Sequence, residues 1–98
     1  MKRAEAISLL ESQEQSVRRF GATSLYLFGS TARDEAGSGS DLDLFIDYDP
    51  TEKFSLLDLV GIQQLLEEEL AVRVDVTTRS SLHPLLKSEI EQTAVRVF

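Results

Sequence analysis

Residues 41–48 of this chain, Asp-Leu-Asp-Leu-Phe-Ile-Asp-Tyr, alternate with a period of two. That pattern permits little except a strand with one face turned to a core. Leu42, Leu44, Ile46 and Tyr48 share one side, and Asp41, Asp43, Phe45 and Asp47 share the other. Upstream, Leu25-Tyr26-Leu27-Phe28 lies in a short segment from Ser24 to Phe28 that is apolar on both faces, as a central strand requires. Downstream, Val72, Val74 and Val76 alternate with Arg73, Asp75 and Thr77 in a third strand. The fold must therefore present carboxylates on the side of a sheet opposite to its core.

Helical periods surround these strands. Residues 2–19 read as one helix, with Ile7, Leu10, Val17 and Phe20 near one face and Gly21 as its stop. Pro50 ends the second strand. Ser55, with Asp58 three residues on, resembles a capping box that opens a helix over about 56–70. Leu56, Leu59, Val60, Leu66 and Leu70 give that helix more apolar surface than a small sheet needs, so part of it is expected at an interface. His83-Pro84 predicts the start of a last helix to about Thr93, and Ala94 to Phe98 a short strand or tail. The order αββαβα, without repeat or linker, implies an α+β fold: a small mixed β-sheet packed against helices in a single domain, 1–98. At 98 residues this is near the lower limit for an adequate core.

Composition excludes several functions. A net charge of −7, with ten Lys and Arg scattered against 17 Asp and Glu, argues against direct binding to nucleic acid, which calls for a basic stripe. There is no secretory h-region and no apolar run of membrane-spanning length, so no membrane role is expected. The absence of cysteine removes disulfides and thiolate metal sites, and suits a cytoplasmic setting.

The chemistry lies in the carboxylates. On one strand Asp41 and Asp43 stand roughly 6.6 Å apart along the backbone. At about 6 Å two unit charges repel by roughly 2.8 kcal/mol in an effective dielectric near 20. Either water screens them on an open face or a cation sits between them, and ligands that are all oxygen favour magnesium or manganese over zinc. Asp75, flanked by core-facing valines, projects from the same kind of acidic face. Gly29-Ser30 follows the first strand and opens a turn through Thr31-Ala32-Arg33, where glycine admits a phosphate and exposed amides favour an anion. Arg33 is placed to reach the same phosphates or to pair with Asp34. His83 reads as a cap or a surface residue and Glu67-Glu68-Glu69 as a solvated run.

Gly29-Ser30, the spacer through Ser40 and Asp41-Leu42-Asp43, followed by Val74-Asp75-Val76-Thr77-Thr78, resemble the signature of the DNA-polymerase-beta-like nucleotidyltransferase superfamily. The variant here is similar to the minimal nucleotidyltransferases (MNT proteins), with likeness running from about Phe20 to Phe98. Asp34 departs from the pattern, since many relatives carry glycine there.

The resemblance implies a nucleotidyltransferase fold and the transfer of AMP from ATP, or another nucleoside triphosphate, to a hydroxyl. Asp41, Asp43 and Asp75 would be catalytic and would bind two magnesium ions, with Asp75 also activating the acceptor. Gly29, Ser30 and Arg33 would hold the triphosphate. Larger relatives add a helical acceptor domain, which is not found in these 98 residues. Minimal relatives are antitoxins that adenylylate an all-helical HEPN toxin, implying a toxin partner and a hetero-oligomer. A masking antitoxin without catalysis, or one subunit of an enzyme acting on a small molecule, are the alternatives.

Overall fold

A computed structural model describes residues 1–35 and 41–98. The Gly37-Ser38-Gly39-Ser40 connection expected from the sequence lies outside the described residues. The fold is α+β, with β1 (Ala22–Phe28), β2 (Leu42–Tyr48), β3 (Val74–Thr78) and β4 (Val95–Arg96) in one mixed sheet of order β3-β2-β1-β4. β1 runs antiparallel to both β2 and β4, while β2 and β3 are parallel. A parallel pair needs a crossover, which α4 (Leu56–Leu70) supplies.

One face of the sheet carries the core. Leu25 and Leu27 of β1, Leu42, Leu44 and Ile46 of β2 and Val74 and Val76 of β3 meet Leu10, Val17, Ile62 and Leu66 from the helices. Leu56, Leu57 and Val60 on the first turns of α4 stay exposed, in keeping with the apolar surplus expected there. The capping box that starts this helix is present. Ser55 Oγ accepts from the Asp58 amide, and Asp58 Oδ2 accepts from the Ser55 amide at 2.9 Å. Ser55→Ala is expected to lower stability by about 1 kcal/mol, read as an earlier urea midpoint with an unchanged slope.

The expected single helix over 2–19 is two: α1 (Arg3–Glu11) and α2 (Glu14–Arg19). Ser12 Oγ donates back to the Leu9 carbonyl, and Gln13 (φ −102°, ψ 9°) leaves helical geometry. Such a hydroxyl offers the backbone an alternative to the helical ladder, an effect that hydrophobic periodicity does not register. Gly21 (φ +112°) ends α2 as read, packed so closely on Phe54 that a Cβ would stand 3.0 Å from its ring. The third strand starts at Val74 rather than Val72, because Ala71 takes a left-handed conformation (φ 56°) as α4 ends. The last helix, α5 (Lys87–Thr93), starts three residues later than His83-Pro84 suggested. Residues 84–86 form a turn instead, with His83 Nδ1 accepting from the Leu85 amide at 3.2 Å. His83 is thus a local cap. Glu67 is not simply solvated: its carboxylate takes the Val74 amide at 3.1 Å and ties α4 to the start of β3.

Candidate active site

Register builds the site. Asp43 lies opposite Asp75 across the parallel β2–β3 pair and opposite Phe28 across the antiparallel β1–β2 pair. Laterally paired residues share a face, so Asp75, Asp43 and Phe28 form a row on the side of the sheet away from the core. Asp41 sits one residue before β2 and is exposed, as is Asp75, whereas Asp43 is half-buried. Burial, then the charges of Asp75 and Asp41, push the Asp43 carboxyl above its ordinary value, and the Arg33 guanidinium opposes them. The sign fits a carboxylate that is partly desolvated among like charges.

The Gly-Ser turn leans on this carboxylate. Gly29 begins the short helix α3 (Gly29–Ala32) with φ +76°, a conformation that suits glycine. A Cβ placed on it would collide with Asp43 Oδ2 and stand 3.2 Å from Asp43 Cγ. Ser30, half-buried, follows directly, and Thr31 is buried with its hydroxyl lacking a hydrogen-bond partner among the described residues. Arg33, at the end of α3, is exposed and pairs with Glu35 at 3.2 Å, not with its neighbour Asp34. Asp34 instead takes φ 58° and accepts from the Arg3 amide at 3.1 Å. Asp is among the few residues other than glycine that tolerate this backbone.

All six residues singled out in the sequence thus lie around one end of the sheet. Among the described residues, however, no three His, Cys, Asp or Glu side chains are drawn tightly enough to cage a metal ion. Asp43 and Asp75 share a face and a register, whereas Asp41 lies one residue outside β2. The donors still suit a hard divalent cation: they are all carboxylate oxygens, and a positive charge beside Asp43 would relieve the repulsion it bears. Gly29 leaves open the space beside that carboxylate which a side chain would fill.

The nucleotidyltransferase domain model matches residues 10–97, nearly the whole chain. The chain belongs to this family. It is 44% identical over 79 residues to a Methanocaldococcus jannaschii protein named as a protein adenylyltransferase, spanning 81% of this chain and 83% of that one. It is 38% identical to the protein adenylyltransferase MntA of Thermococcus cleftensis, over 94% and 88% of the two lengths. A solved minimal nucleotidyltransferase superposes with a TM-score of 0.82 at 33% identity, covering 97% of this chain and 95% of that one. The fold is also that of a chain in the complex of tri-AMPylated Shewanella oneidensis HEPN toxin with MNT antitoxin. That match has a TM-score of 0.66 at 18% identity, over 94% and 71% of the two chains.

Two features of this nucleotidyltransferase domain escaped the sequence pattern. Arg79 follows β3 and clamps Asp47 with two hydrogen bonds, 2.7 and 2.9 Å. Its third contact, 2.6 Å, goes to Glu91 on α5, and its guanidinium lies over the rings of Tyr26 and Phe45, 4.9 and 5.0 Å from their centroids. These partners hold the guanidinium charged far above any working pH. Phe45 is therefore fully buried although it shares the acidic side of β2, stacked on Tyr26 at 4.6 Å. The pairing also withdraws Asp47 from the acidic row. Partners 32 residues apart leave no local signal, although an aromatic residue between two aspartates was a hint that this face is covered. The second feature is the placement of α5, a helix expected from the sequence, across from the Gly-Ser turn.

Proposed function

We propose that this chain is a magnesium-dependent protein adenylyltransferase that moves AMP from ATP to a hydroxyl on a HEPN-type toxin and thereby neutralises it. The single observation that carries the proposal is the close approach of Gly29 to Asp43, with Asp75 in register beside it. It brings a turn able to admit phosphate against a pair of carboxylates. Family membership and the adenylyltransferase names of relatives at 38% and 44% identity supply the reaction class. The HEPN partner comes from the likeness to the antitoxin complex.

Asp41, Asp43 and Asp75 would hold the magnesium ions. When bound, these neutralise phosphate charge and lower the pKa of the acceptor hydroxyl. The remaining work belongs to the chain's own groups. Gly29 and Ser30 present backbone amides and a hydroxyl to the triphosphate, with no side chain at Gly29 to keep it away. Arg33 has only a solvent-exposed link to Glu35 to give up before it can meet a phosphate. Asp75, exposed at the outer side of the row, is the carboxylate an incoming hydroxyl would meet first, and it is suited to accept the proton. A partner docked over this face would exclude water and align its own side chain with the α-phosphate.

Incubation of the chain with a HEPN partner, ATP and magnesium should add mass to the partner in steps of one AMP and reduce its toxicity. Neutralisation by complex formation with no added mass under any nucleotide would favour a masking role instead.

A further inference from the structure

Asp75 stands on an edge strand. Among the described residues β3 pairs only with β2, from Leu42↔Val74 to Ile46↔Thr78. The apolar pattern does not fix where along β2 this strand must lie. Val72, Val74 and Val76 alternate alike, so a slip of two residues would keep valines towards the core and bring Arg73 opposite Asp43. Asp75 would then stand roughly 6.6 Å from its place. Something other than hydrophobic alternation must choose the register.

Both ends of β3 carry a side-chain anchor. At its start, Glu67 takes the Val74 amide at 3.1 Å. At its end, Arg79 grips Asp47 with two hydrogen bonds, 2.7 and 2.9 Å. Asp47 and Arg79 are 32 positions apart, the offset of every pair in the ladder, and would be the pair after Ile46↔Thr78. The fork thus continues the β2–β3 pairing with side chains where the backbone turns away into Arg79–Ser81. A planar guanidinium meets a carboxylate through two bonds in one alignment, which a slip of the strand would break. Glu91 of α5 holds the same guanidinium at 2.6 Å, and the rings of Tyr26 and Phe45 lie against it. So braced, the fork has little freedom to follow a sliding strand.

We infer that Arg79 is a positioning residue for the proposed reaction: its fork on Asp47 sets the register of β3 and so keeps Asp75 opposite Asp43. The role of Asp75 towards the acceptor rests on the adenylyltransferase reading, whereas the register can be measured without it. The native chain, Arg79→Gln, Arg79→Lys and Glu91→Gln are compared by amide hydrogen exchange and by steady-state transfer with ATP, magnesium and a HEPN partner. Lysine keeps a positive charge over the rings but lacks the fork, which covers the case in which Arg79→Gln does not fold. Glu91→Gln removes the ion pair to α5 and leaves the fork on Asp47 in place.

In each folded variant at Arg79, amides of residues 75–78 should exchange about tenfold faster relative to those of β1, which a uniform loss of stability would not produce. The kcat should fall about tenfold with KM for ATP unchanged, because the phosphate turn and Asp43 are untouched. Glu91→Gln should keep native protection in β3. Equal acceleration in β1 and β3, native exchange in both Arg79 variants, or an equal loss of β3 protection in Glu91→Gln overturns the register pin. Selective loosening of β3 with a native kcat overturns the positioning role. A native chain that transfers no AMP, with β3 selectively loosened in the Arg79 variants, refutes the adenylyltransferase reading and upholds the pin.

Discussion

Asp43→Asn should abolish AMP transfer while making the metal-free protein more stable. The two effects have one cause. Asp43 is half-buried, and the charges of Asp75 and Asp41 add to its burial in disfavouring the ionised form. Its pKa is therefore higher in the folded chain than in the unfolded one, whose reference is 3.8. The folded state holds this proton more tightly, so the contribution of Asp43 to stability is greatest at low pH. It is lost as pH rises from that reference through the folded value. In EDTA, denaturation midpoints of the native chain should carry this falling component as pH rises above 3.8, and those of Asp43→Asn should lack it. Asparagine keeps the size and strand register while removing an anionic oxygen from the candidate metal site.

Changes in the groups that merely support metal ligands cost about 10–100-fold, so loss of a ligand itself should lower transfer by at least about a hundredfold. A variant that folds and turns over at the native rate would refute the assignment of Asp43. Asp47→Asn is the comparison within the same strand. Its carboxylate is already taken by Arg79, so the substitution should cost stability through the broken clamp and affect transfer far less.

That contrast between two aspartates four residues apart marks the boundary of what the amino-acid order could reveal. Alternation in residues 41–48 assigned both carboxylates to one face, correctly, because the strand period is a local property. Val74-Asp75-Val76 assigned the third acid in the same way, and the parallel register then set Asp75 beside Asp43. The separation of Asp43 from Asp47 depends on Arg79, whose partners on β2 and α5 are joined only by tertiary packing. The later start of α5 had a similar origin. The turn at His83 satisfies its own backbone groups before the helix begins, and Pro84 is as compatible with such a turn as with a first helical position. Glu67 looked solvated within a run of three glutamates, but only two of them remain exposed once β3 offers its first amide. The close approach of Gly29 to Asp43 was likewise invisible, because glycine in a turn has many causes. Antiparallel pairing of Phe28 with Asp43 leaves the residue after Phe28 no room for a side chain.

That approach leads to the second large effect, in Gly29→Ala. The backbone at Gly29 lies at φ +76°, where an alanine costs about 1–3 kcal/mol in strain. For a domain of this size each kcal/mol lowers Tm by roughly 4–8 °C, so a clear drop is expected from the backbone alone. The added methyl also meets Asp43, colliding with Oδ2 and lying 3.2 and 3.3 Å from Cγ and Cβ. Relief by a backbone shift would move the phosphate turn, and relief by a side-chain shift would move the carboxylate proposed to hold metal. Either response separates groups that must act together on one triphosphate. A displacement of about 1 Å in such a site can cost a hundredfold in rate. Transfer should therefore fall at least about a hundredfold even at a temperature where the variant is fully folded by circular dichroism. The double variant Gly29→Ala with Asp43→Ala would retain the backbone strain but lose most of the collision. Its Tm should recover part of the fall relative to Asp43→Ala, a coupling that only residues in contact produce. Activity that merely tracks the folded fraction, or Tm losses that add without coupling, would mean that the turn and the carboxylate are neighbours without being parts of one site.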